Sequence, residues 1–287
     1  MKFKKSNLPA PLLCLATENR RPTEGRYGVT ELNGSPRIAQ LRRRHWDEIE
    51  VDPSDNLWMV FGKLLHSQME SRVGAQALAE ERIVIPVNER FVAGVPDHYE
   101  DGIITEYKFV SVWAVKNGVK LEWSSQLNVY AYLFESLGFP VGKIQVCCIY
   151  RDWSQTQADR DKEYPRRAEV LPVPLWAWLS REKHIRDRIA LHTANEVLPD
   201  SELTPCTDEE RWCVPGKFAV MKQGNKRAVK LFDDEAGAKE LAETDKKLFV
   251  EKRPTEYKRC ARCEVRNWCN QVPAGQTPDE SCEAAGL

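Results

Sequence analysis

Apolar positions along this chain change period in a way that marks out its elements. After Asp52-Pro53-Ser54-Asp55, a set of capping residues around a helix-compatible proline, Leu57, Phe61, Leu64 and Leu65 fall at i, i+4, i+7 and i+8. That spacing predicts a helix running to about residue 79. From 81 to about 115 the period shortens. The runs 83–87, 90–95 and 102–110 are rich in β-branched and aromatic residues, with turn formers at Asn88 and 97–102 between them. Three strands in an antiparallel meander are expected there. A second helix is expected over about 122–138, ended by Gly138-Phe139-Pro140, and then a buried strand over 143–150.

The flanks are less regular. Residues 1–25 read as an extended lead-in, 36–46 as a basic helix and 151–167 as a polar surface excursion. A strand near 168–173 and an amphipathic helix near 174–194 follow. From 199 onward prolines, charges and cysteines accumulate. The expected organisation is therefore a lead-in (1–29), a core (30–198) and a second lobe (199–287).

Apolar runs are only a few residues long, so no segment is expected to span a bilayer, and no signal-peptide apolar stretch follows the basic start. A cytoplasmic protein is the expectation. The net charge of −1 favours no class of partner, which leaves local clusters to consider. Arg42-Arg43-Arg44 and Lys226-Arg227 are candidate phosphate contacts. Gly62-Lys63, Gly142-Lys143 and Gly216-Lys217 lack the remaining P-loop residues. No motor function is expected, and no G-x-S-x-G or H-E-x-x-H occurs.

The most informative chemistry is Gly94-Val95-Pro96-Asp97, then eight residues, then Glu106-Tyr107-Lys108. Glu106 and Lys108 lie two apart on one strand and project from one face. Two carboxylates converging at a strand edge make a hard-oxygen site suited to Mg²⁺ or Mn²⁺. A lysine beside them can orient a water and stabilise charge on a phosphodiester. A D…ExK string alone recurs on any solvated strand, so its companions matter. His66 falls outside the apolar stripe of the first helix, where it can add a metal ligand. Gln126 and Tyr130 share a face of the second helix, placed to contact the lysine or a substrate phosphate.

In this order, His66, Gly94-x-x-Asp97, Glu106-x-Lys108 and Gln126-x-x-x-Tyr130 resemble the motifs of the PD-(D/E)XK nuclease superfamily. The resemblance is to its RecB-like branch, which includes the CRISPR-associated exonucleases. It covers roughly residues 30–150. Arg43-Arg44-His45-Trp46-Asp47-Glu48 and Lys217-Phe218-Ala219-Val220-Met221-Lys222 look like stretches of phage and prophage nuclease-like proteins. The resemblance implies an α/β fold with a restriction-endonuclease-like αβββαβ core, a mixed sheet flanked by helices. It implies Mg²⁺- or Mn²⁺-dependent hydrolysis of DNA, exonucleolytic in type, on a substrate with a free end or a single strand. Asp97 and Glu106 would hold the metal with His66 as a further ligand, Lys108 would position the water, and Gln126 and Tyr130 would support lysine and phosphate. A recombination or replication protein is the implied partner. The competing readings are an endonuclease, or a nuclease-fold module that binds DNA or a partner with little cleavage.

Nine cysteines in such a chain point to metal binding or burial rather than disulfides. Cys147 and Cys148 sit in an apolar run and read as core. Cys260-x-x-Cys263-x5-Cys269 places three thiols within reach of one centre. Arg259, Arg262 and Arg266 are expected to help hold them as thiolates. The fourth ligand lies elsewhere. Cys206 is the first choice, since the phage proteins that the chain resembles carry a cysteine there, with Cys213, Cys14 and Cys282 as alternatives. Spacing does not separate zinc from a [4Fe–4S] cluster, and the resemblance favours iron–sulfur. A zinc-stabilised interaction protein is the third class of reading.

Overall fold

The computed structural model describes residues 1–72, 74 and 77–272, and is mixed α/β. Two compact units divide it, 1–204 and the residues from 205 on. No helix among the described residues is long and apolar enough to cross a membrane.

Unit 1 opens with β1 (Lys2–Phe3), α1 (Ala10–Ala16), β2 (Arg26–Gly28), α2 (Val29–Asn33), α3 (Pro36–Arg44) and β3 (Glu50–Val51). Next come α4 (Leu57–Glu70), β4 (Ile83–Val87), β5 (Arg90–Gly94), β6 (His98–Glu100), β7 (Ile103–Val110), α5 (Leu121–Ser136) and β8 (Lys143–Tyr150). The unit closes with α6 (Gln155–Arg160), β9 (Ala168–Val173) and α7 (Trp178–Glu196). The expected extended lead-in is corrected here. Pro9 precedes α1 as its cap residue and β1 pairs with β3 in parallel. A short apolar segment, Ala10 to Ala16, is enough for two helical turns once Ala16 is buried.

The expected meander is also corrected. β4 and β5 form an antiparallel hairpin that turns through Asn88 at φ +54°, but the chain then leaves that sheet. β6 and β7 belong to a second sheet ordered β6-β7-β8-β9, while β5 is flanked by β4 and, in parallel, by β2. The break falls over Val95, Pro96 and Asp97, where proline removes a ladder donor. β7 and β8 run parallel, as a crossover through α5 requires.

α5 is the central helix. Leu127, Ala131 and Leu133 are fully buried, and eight consecutive residues from Leu127 to Phe134 are buried on all sides. Such a helix is held by tertiary packing rather than amphipathicity. On β8, Ile144, Val146, Cys148 and Tyr150 alternate inward. Each large apolar side chain buried in this way stabilises by roughly 1.5–3 kcal/mol. α4 behaves otherwise than its sequence suggests. It ends at Glu70, short of residue 79, and only Val60 of it is buried, with Phe61 and Leu64 exposed.

Unit 2 contains a three-stranded antiparallel sheet. Cys213–Val214 is β10, Lys217–Lys222 β11, Lys230–Phe232 β12, Glu235–Ala242 α8 and Leu248–Arg253 β13; β11 lies between β12 and β13. Beyond it, β14 (Glu256–Tyr257) pairs with β10, and α9 (Lys258–Ala261) leads into the cysteine segment.

Candidate metal centre

The split between the two sheets of unit 1 positions the site. At Gly94, where β5 ends, no side chain fits: a Cβ would lie 2.4 Å from Cε1 of Tyr130 and 2.9 Å from Cγ2 of Val29. Tyr130, buried on α5, donates to the Val95 carbonyl at 3.2 Å. This clamp turns the chain so that Asp97 faces β7, where its Oδ2 accepts from the Tyr107 backbone N–H at 2.7 Å. Glu106, on β7 and buried, holds Lys108 through Oε1, with Nζ at 2.7 Å.

Gln126 completes the second tier. Its amide N–H₂ donates to Glu106 Oε1 at 2.9 Å and to the Tyr130 hydroxyl at 3.2 Å, and its carbonyl accepts from Lys108 at 3.4 Å. Its amide orientation is thereby fixed by three partners. Tyr130 has a different place from the one expected. It lies beneath Gly94, too deep for a substrate phosphate, and its pKa is raised, chiefly by burial.

His66 comes in from α4, with Nδ1 3.4 Å from Asp97 Oδ1 and 3.2 Å from Glu80 Oε1. Among the described residues, His66, Glu80 and Asp97 form a group whose ligand atoms all lie within 4.8 Å of one another. Glu80 is not expected from the sequence, because the apolar spacing of the first helix predicts its continuation to about residue 79. Its backbone takes φ +54° and its N–H donates to the Pro96 carbonyl at 3.1 Å, which fixes it beside Asp97. The available signal is its place three residues before the strand run that starts at 83. Glu70 is exposed on α4.

The electrostatics call for a cation. Burial, and then the nearby Glu106, push the Asp97 carboxyl up to about 8. Burial also raises Glu80, opposed by His66 and reinforced by Glu106. Glu106 Oε2 is buried with no hydrogen-bond partner, a costly state for a carboxylate oxygen. Three carboxylates, one of them with an orphaned oxygen, and one imidazole make a hard donor set that fits Mg²⁺ or Mn²⁺.

The basic cluster on α3 is committed elsewhere. Arg43 pairs with Glu31 at 2.7 Å and donates to the Thr23 and Arg26 carbonyls, and Arg44 pairs with Asp200 at 2.6 Å. They are structural arginines rather than free phosphate contacts. Lys226 and Arg227 are exposed in unit 2. Cys148 is buried and Cys147 half-buried.

In unit 2, the Cys206 backbone makes a reciprocal pair with the Gln271 side chain, both bonds 2.8 Å, two residues past Cys269. Cys213 stands opposite Tyr257 in the β10–β14 register. Arg259 favours the Cys263 thiolate, as expected, but burial outweighs it. Arg259 is engaged with the Glu210 carbonyl and Arg266 with the Ala261 carbonyl, while burial pushes the Cys263 thiol up to about 11. Arg211 is the arginine that reaches the Cys260 thiol. Cys14 is exposed in α1, and Cys282 lies outside the described residues.

No protein-family model matches the chain, and no curated protein does. Among solved structures, it is similar to that of SSO0001, with TM-score 0.42 and 19% identity over 63% of this chain and 84% of that one. It is also similar to an alkaline exonuclease from Laribacter hongkongensis, with TM-score 0.40 and 11% identity over 59% of this chain and 89% of that one.

Proposed function

We propose that the chain is a metal-dependent phosphodiester hydrolase acting on DNA, built on a restriction-endonuclease-like core. The observation that carries this reading is the His66, Glu80 and Asp97 group, with Glu106 near enough to raise the Asp97 carboxyl, paired with Lys108, and its Oε2 left unpartnered in a buried position. Asp97, Glu106 and His66 would hold Mg²⁺ or Mn²⁺, and Glu80 joins them. When bound, such an ion lowers the pKa of a ligated water and offsets charge on the phosphoryl oxygens.

The chain's own residues account for the rest. A lysine ammonium has three donors; at Lys108 Glu106 and Gln126 take two, and the third is left for an attacking water or a phosphoryl oxygen. Gln126 holds that ammonium in place and Tyr130 holds Gln126, so both are positioning residues. Lys108 also stabilises negative charge developing on the phosphate.

We also propose that Cys260, Cys263 and Cys269, with Cys206 as fourth ligand, hold an iron–sulfur cluster or zinc that fixes the local structure of unit 2. Support comes from the tether of Cys206 to Gln271 and from the thiol donor set. Purified anaerobically, the protein should be brown and contain iron; a colourless protein with one equivalent of zinc would favour the zinc form.

The catalytic reading is tested with end-labelled DNA, single- and double-stranded, linear and circular, in Mn²⁺ or EDTA. Loss of linear substrate with circles intact indicates an exonuclease, and loss of both an endonuclease. No cleavage of any substrate by protein with its metals in place argues for a DNA- or partner-binding module.

A further inference from the structure

An open cavity of about 510 Å³ lies in unit 1, lined by Arg20, Arg21, Arg26 and Arg82 together with Glu31 and the small residues Gly28 and Ala93. Its floor is the parallel pair β2–β5, in which Gly28 stands opposite Ala93. Two residues without bulk at that register leave the room.

The charge balance of the cleft is one-sided. Glu31, its carboxylate, is neutralised by Arg43 at 2.7 Å, and Arg21 is matched by Asp47 at 3.2 Å. Arg26 donates to the Thr23 hydroxyl at 2.6 Å, a neutral partner that leaves its charge uncompensated. Arg20 and Arg82 are exposed, and no ion pair joins either of them among the described residues. Glu18 lies near enough to Arg20 to balance it in part, so Arg26 and Arg82 are the guanidinium groups that line this concave space without an ion-pair partner among the described residues. The rim is also built: Arg43 donates to the carbonyls of Thr23 and Arg26, which holds the turn through Gly25 that carries Arg26.

Two chain segments link the cleft to the candidate metal centre. Ala93 of the floor lies four residues before Asp97, at most about 13 Å at roughly 3.3 Å per residue. On β4's approach, Glu80 stands in the donor group and Arg82, two residues on, lines the cleft. We infer that this arginine cleft binds a phosphate group of the nucleic acid strand, anchoring it a short distance from the bond to be cut. Guanidinium groups suit the task because their planar donors match phosphate oxygens in pairs. This inference deepens the proposed function and rests on it for the kind of anion.

The test is fluorescence anisotropy of a labelled single-stranded oligonucleotide on the full chain in EDTA, which allows binding without hydrolysis. Wild type is compared with the Arg20→Gln/Arg82→Gln double variant, over a salt series. The variant should bind more weakly, and its log–log salt slope should be shallower by about 0.7 per lost contact, about 1.4 for the pair. Its thermal unfolding should match wild type. Oligonucleotides with and without a terminal phosphate separate the sources. An equal loss on both identifies an internal phosphodiester, and a loss confined to the phosphorylated one identifies a terminal monoester. Unchanged affinity and slope in the variant overturn the inference, as does a wild type that binds no oligonucleotide. The two readings fail separately: arginine-dependent binding without Mn²⁺-dependent cleavage sinks the hydrolase and keeps the cleft. Cleavage with arginine-independent binding does the reverse.

Discussion

Gln126 is the residue through which the site's geometry passes, because it touches Glu106, Lys108 and Tyr130 at once. Removing it frees the lysine ammonium without removing a metal donor. Gln126→Ala should therefore lower kcat by roughly tenfold, the equivalent of about 1.4 kcal/mol, with Mn²⁺ affinity unchanged. A kcat equal to wild type would show that Lys108 needs no such support. Gly94 acts by having no side chain. Gly94→Ala drives a methyl into Tyr130 and Val29, and overpacking of this kind costs about 1–3 kcal/mol, read as a lower thermal midpoint. Pairing it with Tyr130→Phe should recover little, since the ring remains in place.

At the scale of elements, α7 carries a buried histidine that serves as a titration probe of the core. His192 is fully buried against Tyr27, with Nε2 3.1 Å from the Leu32 carbonyl. Burial first, and Arg188 second, push its pKa down to about 4 from the ordinary 6.5. An unfolded chain takes up that proton near 6.5, so this contribution is full above about 6.5. It falls as the pH drops towards 4, by up to about 1.4 kcal/mol per pH unit. Denaturant midpoints measured over that range should decline in wild type and flatten in His192→Gln; parallel curves would contradict the assignment. The elements also show what was legible in the sequence. α3, α5, β8 and β9 lie within a few residues of their expected bounds, because periodicity and capping decide them locally. Glu106, Lys108 and Gln126 share hydrogen bonds, and His66 lies 3.4 Å from Asp97. Glu80 was missed because its position depends on a chain break that helical periodicity does not report. The separation of β5 from β6 was missed too, since it follows from Tyr130 packing under Gly94, a contact between residues far apart in sequence. The split of roles among the arginines was equally hidden, being decided by tertiary partners such as Glu31 and Asp200.

At the scale of the whole molecule, the near-zero net charge places any affinity for DNA in local features, of which the arginine cleft of unit 1 is the clearest. The proposed cysteine centre makes a separate prediction for unit 2. Cys260→Ser should reduce bound iron or zinc and lower the thermal stability of that unit, because a ligated centre contributes folding free energy. Metal content unchanged in Cys260→Ser would remove that residue from the ligand set. The central claim concerns unit 1, and Lys108→Ala tests it most directly because it leaves every proposed metal donor in place. Mn²⁺ binding is measured alongside single-turnover cleavage of end-labelled DNA, for wild type and variant. The account predicts Mn²⁺-dependent cleavage by wild type, and a variant that binds Mn²⁺ as well but cleaves at least about a hundredfold more slowly. Cleavage by Lys108→Ala at the wild-type rate would contradict it.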